Sequence, residues 1–233
     1  EKDALDISQA YINMGNIFVF LGTYEQALDH YDRALDMARK LNNQKSISLC
    51  LLNSGVVQNK CGNFDQALTL YQQSLDVSRT LNDPVQISNC LINIGTNYAD
   101  MGAYEKGLDY VRQGMEIKTE LGDARTISNG YIHMAEILLM MEEYDQATEL
   151  FNQAIPVKEE LGDQEGLVRC YLGLGAVYKQ RNQFGVAETW VNLGLAIADP
   201  LKALEHLVHS YELKREIAVA AGDYRYAYQM AMD

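Results

Sequence analysis

Asparagine recurs every forty residues in the first half of the chain, at Asn13, Asn53 and Asn93. A carboxamide offers one acceptor and two donors, which matches the hydrogen-bonding groups of a peptide bond. Asparagine is a mediocre helix former, so three copies at one position of a repeat need a physical reason. Two reasons stay open at this point: hydrogen bonds to a bound peptide backbone, or hydrogen bonds to a neighbouring helix and solvent.

Other residue types that could do chemistry are sparse. His206 and His209 have a spacing with which one helix face can hold a metal ion, but no cysteine or further histidine is placed to complete the site. GxSxG, Walker and HExxH motifs are missing, as is a glycine-rich dinucleotide loop. We therefore expect a non-catalytic chain without metal or cofactor, although a Ser–His or Cys–His pair formed only by the fold stays open.

The composition narrows the class of partner. The chain has 233 residues and a formal net charge of −13, which argues against nucleic acid and against direct contact with an anionic membrane. A basic protein or peptide is compatible with this charge, but so is an ordinary solvated surface. No signal peptide is visible and both ends look cut, so we expect a fragment of a longer, cytoplasmic protein, with the periplasm left open.

A forty-residue repeat runs through the whole chain. An aromatic residue is followed three positions later by a small one in six successive units, and this register predicts a stack of short units that bury their apolar faces against each other. The aromatic positions are Tyr24, Phe64, Tyr104, Tyr144, Phe184 and Tyr224, and the small ones are Ala27, Ala67, Gly107, Ala147, Ala187 and Ala227.

Each unit has two segments of helical apolar spacing, separated by a Gly or Asn turn. The predicted units cover approximately 3–41, 44–81, 84–121, 124–161, 164–198 and 201–233. The first helices are expected at 3–21, 44–61, 84–101, 124–141, 164–181 and 201–221. The second helices are expected at 24–41, 64–81, 104–121, 144–161, 184–198 and 224–233.

Particular residues are expected to set the helix ends. Asn43, Asp83, Asp123 and Asp163 occupy an N-cap position, with Pro84 at the first turn of its helix. Thr23 with Gln26, and Asn63 with Gln66, have the spacing of a capping box. Pro156 should kink the second helix of the fourth unit, and Asp199-Pro200 should shorten that of the fifth.

Three of the four cysteines, Cys50, Cys90 and Cys170, share one repeat position, held elsewhere by small residues. Equivalent positions on successive packed helices lie about 8–10 Å apart, which is too far for a disulfide. Buried free thiols are therefore expected at these three positions.

The repeat resembles the tetratricopeptide family in its long, forty-residue form, as in kinesin light chains, Leu-Gly-Asn polarity adaptors and bacterial signalling proteins. The resemblance rests on Tyr11, Leu51, Leu91, Tyr131, Tyr171 and Tyr211, on Gly15, Gly55, Gly95, Ala135 and Gly175 four residues later, and on the small positions above. The glycine position breaks at Arg215. The resemblance implies an all-α fold, a right-handed α-solenoid of about six helix-turn-helix repeats over 1–233, the last one incomplete.

In this family the first helices line an inner groove that holds an extended peptide. Carried over by register, the groove positions are Gln9, Asn13, Asn16, Asn53, Asn89, Asn93, Thr96, Asn129, His133, Glu136, Arg169 and Lys179. An extended chain covers the roughly 8–10 Å between helices in about three residues, so an asparagine ladder could clamp a backbone. An acidic ligand group is expected near Arg169 and Lys179, and the groove side chains are expected to face solvent in the free protein.

The functional expectation is a protein- or peptide-binding scaffold, placed in the sensory or interaction segment of a signalling protein. The rival is an architectural module that self-associates through its last helix. An enzyme is the least favoured of the three.

Overall fold

The computed structural model describes residues 2–201 and 203–229, and every regular element within them is an α-helix. The chain divides into two compact units, Glu1–Leu121 and Gly122–Asp233, and each is described by itself. The first unit contains α1 (Lys2–Phe20), α2 (Tyr24–Lys40), α3 (Gln44–Lys60), α4 (Phe64–Thr80), α5 (Pro84–Asp100) and α6 (Tyr104–Leu121).

The second unit continues the same pattern of paired helices. It contains α7 (Ala124–Met140), α8 (Tyr144–Glu160), α9 (Gln164–Gln180), α10 (Phe184–Leu201), α11 (Leu204–Ala220) and α12 (Tyr224–Gln229). In both units each helix packs against the next along the chain, and the first helices of successive repeats also touch. This is the helix-turn-helix repeat solenoid that the forty-residue period predicts.

Proline changes the helices less than the sequence suggests. α10 runs through Pro200 to Leu201, so the prediction that Asp199-Pro200 shortens this helix is wrong. α8 contains Pro156 and runs to Glu160, and the kink expected at Pro156 stays a prediction. A proline fixes a helical φ and removes a single N–H donor, which a packed helix tolerates near its end. The sixth unit begins its helix at Leu204 rather than at 201, and the end predicted for its second helix, at 233, falls outside the described residues.

Four N-caps at the start of first helices are confirmed. The side chains of Asn43, Asp83 and Asp163 each accept the backbone N–H three residues later, at 3.1, 3.1 and 3.0 Å, and Asp123 accepts that of Arg125 at 3.0 Å. These bonds satisfy N–H groups that the first turn of a helix leaves without a partner.

The two predicted capping boxes of the second helices are wrong. Thr23 and Asn63 make no cap hydrogen bond to α2 and α4. Instead the Thr23 hydroxyl donates to the Phe18 carbonyl at 3.2 Å, and the Asn63 amide donates to Gln58 Oε1 at 2.8 Å. Both side chains therefore close the preceding helix rather than open the next one.

Each turn that the structure describes in full contains one residue with left-handed backbone, and these residues follow a spacing of twenty positions. Glycine adopts this conformation without a steric penalty, and asparagine tolerates it better than other residues. Glu142, with φ 62°, is the exception. The described members of the series are Gly22, Asn42, Gly62, Asn82, Gly102, Gly122, Glu142, Gly162, Asn182 and Gly222.

Within a repeat, the glycine of the first helix receives a large side chain from the second. A Cβ added to Gly15 would lie 2.4 Å from the Tyr31 ring, and one added to Gly55 would lie 2.6 Å from the Tyr71 ring. In the third repeat Gly95 meets the Gly107 carbonyl, so two backbones touch directly. The small residues of the repeat are therefore the points at which paired helices cross.

The three cysteines at the shared position are buried free thiols, as predicted, whereas Cys61 is exposed. Burial raises the pKa of Cys50 and of Cys170 to about 12, and it raises the pKa of Cys90 as well. These thiols are packing residues with little thiolate in the folded chain.

Candidate functional site

In the first unit, groove residues of neighbouring helices are joined around Asn16. Asn16 Oδ1 accepts from the Tyr31 hydroxyl at 2.7 Å and from Asn53 Nδ2 at 3.2 Å. Tyr31 is buried, and burial raises its pKa to about 12, so the ring anchors Asn16 from below as a neutral phenol. The Asn53 amide thus makes the bond to a neighbouring helix that the sequence left open as an alternative, and its Oδ1 makes no bond to the described residues.

Gln9, Asn13 and Asn93 instead bond within their own helix. Gln9 Nε2 donates to Asn13 Oδ1 at 3.1 Å on the exposed surface of α1. Asn93 Nδ2 donates to the Asn89 carbonyl at 2.9 Å, and the Thr96 hydroxyl donates to the Asn93 carbonyl at 3.1 Å. Asn93 Oδ1 makes no hydrogen bond to the described residues, so both Asn53 and Asn93 have a side-chain oxygen that can accept a hydrogen bond from a ligand.

Two groove asparagines hold buried lysines. Lys118 Nζ donates to Asn89 Oδ1 at 2.9 Å. Lys158, fully buried, donates to Asn129 Oδ1 and, at 2.5 Å, to Asp163 Oδ2. Asn89 and Asn129 are half-buried, and each side-chain carbonyl oxygen accepts from a lysine ammonium of the second helix.

In the second unit, an ion pair links α7 and α9. The Arg169 guanidinium donates to both carboxylate oxygens of Glu136, at 2.9 and 2.7 Å, and its Nη2 lies 3.3 Å from His133 Nδ1. The fork geometry suits two parallel charge-assisted bonds. The fold thus brings together His133, Glu136 and Arg169, three groove positions that are not adjacent in the sequence.

The ionisation of Glu136 follows from this pair. Burial would raise the pKa of Glu136, but the Arg169 charge and the His133 ring outweigh it and lower the pKa to about 2. The Glu136 side chain is 41% exposed, so water still screens the pair and moderates its strength.

The groove cations are already neutralised by carboxylates. Lys179 Nζ donates to Glu216 Oε2 at 2.6 Å. In both pairs the cation is the more covered partner: Arg169 is 28% and Lys179 19% exposed, against 41% for Glu136 and 54% for Glu216. A ligand carboxylate would therefore have to displace a protein carboxylate at either cation, which weakens the expectation of an acidic ligand group there.

Sequence reasoning missed the buried lysines and one polar network. Lys118 and Lys158 lie forty residues apart, at a position that holds Ala38, Ser78 and Ala198 in other repeats. The recurrence of lysine at one repeat position could have been recognised from the sequence.

The missed network joins the ends of α3 and α5. Asn59 Nδ2 donates to Asn97 Oδ1 at 3.1 Å and to Asp100 Oδ2 at 2.7 Å. This network could not be recognised from the sequence, because its residues occupy different repeat positions.

Metal and membrane sites were also sought. Across residues 2–201 and 203–229, no group of three His, Cys, Asp or Glu side chains is arranged to hold a metal ion. None of the helices in that part of the chain combines the length and the apolar character that crossing a membrane requires.

The fold and the groove positions define a helical-repeat protein of the solenoid class. The family model described as the MalT-like TPR region matches residues 1–162, and a tetratricopeptide repeat model matches residues 126–199. The chain belongs to the tetratricopeptide repeat family. No curated protein sequence matches it significantly.

Solved structures with a similar fold have low sequence identity. A Rap protein complexed with Competence and Sporulation Factor aligns with a TM-score of 0.77 at 17% identity, over 95% of this chain and 71% of that one. PlcR of Bacillus thuringiensis, in complex with the peptide PapR7 and DNA, has a TM-score of 0.76 at 13% identity, over 87% and 73%. BtubC (BKLC) from P. vanneervenii has a TM-score of 0.67 at 18% identity, over 89% and 87%.

Proposed function

We propose that this chain is a non-catalytic binding module that holds a protein or an extended peptide along its first-helix face, as the interaction segment of a signalling protein. The carrying observation is the pair Asn53 and Asn93. Each amide is fixed by one intramolecular bond and keeps an acceptor oxygen and a second N–H for a ligand.

Two structural neighbours support this choice of ligand. Rap is similar in fold and was solved with Competence and Sporulation Factor, and PlcR was solved with the peptide PapR7. Peptide binding is thus compatible with the fold. The alternative is that these amides only interact with solvent. It explains less well why Asn53 and Asn93 are each oriented by one intramolecular hydrogen bond while their side-chain oxygens have no hydrogen-bond partner among the described residues.

The remaining groove residues enter the proposal with different roles. Asn13, Asn16 and Gln9 extend the amide surface in the first unit, and His133 and Arg169 offer polar contacts in the second. Asn89 and Asn129 keep only their amide nitrogens for a ligand, since lysines occupy their oxygens. Lys179 can contact a ligand only if its ion pair with Glu216 breaks.

The test is a selection from a random peptide library displayed on phage, followed by affinity measurement with the selected synthetic peptides. Asn53→Ala with Asn93→Ala should weaken binding by about 1–3 kcal/mol in total, since each neutral hydrogen bond contributes about 0.5–1.5 kcal/mol. Asp109→Ala, an exposed change on α6, is the matched control and should leave affinity intact. Unchanged affinity in the double variant would remove the amide face from the proposal.

Self-association is the second candidate, because α12 leaves two aromatic rings uncovered. Tyr224 and Tyr228 are each 69% exposed. Sedimentation over a dilution series separates the two functions. A concentration-dependent dimer that Tyr224→Ser with Tyr228→Ser abolishes would favour the architectural role, whereas a monomer at all concentrations would exclude it.

A further inference from the structure

A small, partly open cavity lies where α3, α4 and α5 meet in the first unit. Its volume is about 60 Å³, and Ser48, Ser78, Asp83 and Gln86 are among the residues that line it. Gln86 Nε2 is buried and has no hydrogen-bond partner among the described residues. A buried donor without a partner destabilises the fold, so this amide requires an explanation.

The fourth repeat fills the equivalent place with a lysine. Forty and eighty residues after Ser78 come Lys118 and Lys158, and the cap Asp83 corresponds to Asp163 in the later repeat. Lys158 donates to Asn129 and Asp163 there, and its side chain passes so close to Gly166 that an added Cβ would lie 2.7 Å from it.

In the second repeat the side chains leave this place open. Ser78 lines the cavity but is too short to fill it, Leu49 has the repeat position of Asn89 and Asn129, and Gln86 has that of Gly166. The ammonium that bonds the cap aspartate in the fourth repeat therefore has no counterpart on α4.

We propose that this cavity is a binding site for ordered water, which takes the place of the Lys158 ammonium of the fourth repeat. A volume of about 60 Å³ holds about one or two water molecules, since each fills about 30 Å³ in the liquid. Water can accept from Gln86 Nε2 and donate to the Asp83 carboxylate, whose Oδ1 also accepts the Gln86 backbone N–H. A metal cation is disfavoured, because Lys45 also lines the cavity and Asp83 is the one carboxylate there.

The experiment counts long-lived water by oxygen-17 magnetic relaxation dispersion on the whole chain. Ser78→Lys with Leu49→Asn and Gln86→Gly rebuilds the fourth repeat's side chains and should lower the count by one or two relative to wild type. Gln73→Lys adds the same charge on the exposed face of α4 and should leave the count unchanged.

A second variant covers failure of the first to fold. Gln86→Met removes the orphan donor at similar volume and should also lower the count. Equal counts in wild type and in a folded filled variant, or in Gln86→Met, would overturn the proposal. So would a count that falls when sodium or potassium chloride replaces choline chloride at constant ionic strength, because a metal cation would then be the occupant.

Discussion

At the residue scale, the structure separates groove side chains that are available from those that hold the fold together. Asn129 Oδ1 is a partner of the fully buried Lys158 ammonium, whereas Asn13 bonds only Gln9 on the exposed surface. Both are asparagines on a first-helix face, and register alone does not distinguish them. Their roles differ because of the residue that the second helix of the repeat places against each asparagine.

Asn129→Ala should therefore lower the free energy of unfolding by about 1.5–3 kcal/mol, the range for a lost hydrogen bond to a charged group. Urea denaturation measures the change. Asn13→Ala is the control and should stay within about 0.5 kcal/mol of wild type, as exposed substitutions usually do. Equal stability of the two variants would mean that Asn129 does not support the buried ammonium.

The Arg169–Glu136 pair predicts a loss of stability in acid. The pKa of Glu136 is about 2 in the folded chain, below the value of about 4.3 for an unperturbed glutamate. Its contribution is complete above the unfolded value and declines as the pH falls from there towards 2, because the unfolded chain takes up the proton first.

Measured by urea denaturation, the stability difference between wild type and Glu136→Gln should shrink from pH 7 to pH 3. Glu160→Gln, at the exposed end of α8, is the control and should stay within about 0.5 kcal/mol of wild type at pH 7. A Glu136→Gln difference that is constant over this range would show that the ion pair is not formed in solution.

At the element scale, the turns show how a forty-residue period fixes helix ends. Nine of the ten left-handed turn residues described above are glycine or asparagine, and Glu142 is the tenth. Left-handed backbone costs a residue with a Cβ about 1–2 kcal/mol. Glu142→Gly should therefore raise the free energy of unfolding by about 1 kcal/mol, measured by urea denaturation.

The reciprocal change is the matched control for this prediction. Gly162 occupies the same kind of turn with the same φ of 62°, so Gly162→Glu should lose a similar amount. If Glu142→Gly gains nothing while Gly162→Glu loses stability, an interaction of the Glu142 side chain must offset the backbone cost.

The helices could be predicted from the sequence to within a few residues, because the period and the turn residues agree, and Asn or Asp caps mark the start of four first helices. The destinations of polar side chains could not. Thr23 and Asn63 have capping-box spacing, yet both bond the preceding helix. Arg169 was predicted to await an acidic ligand, yet Glu136 reaches it from another helix. Such choices depend on distances between helices, which a periodic pattern does not contain.

At the scale of the whole molecule, the open question is whether the chain opens as one body. The sequence predicts a single solenoid over 1–233, while the described structure forms two compact units that meet in sequence at residue 121. In repeat proteins stability is carried by neighbouring repeats, so parts of a chain can open separately. The buried thiols report on both units, since Cys50 and Cys90 lie in the first and Cys170 in the second.

Thiol labelling under native conditions decides between these cases. Burial raises the pKa of Cys50 and Cys170 to about 12, so reagent reacts with them only after local opening, whereas exposed Cys61 reacts at once and serves as the internal reference. Asn129→Ala destabilises the second unit, and each 1.4 kcal/mol by which the free energy of opening falls should speed labelling about tenfold.

If the units open separately, Cys170 should react at least about tenfold faster in this variant while Cys50 and Cys90 keep their wild-type rates. Leu75→Ala in the first unit should do the reverse, because Leu75 lies in that unit's core. An equal acceleration of all three thiols by either change would contradict separate opening and would support the single cooperative solenoid.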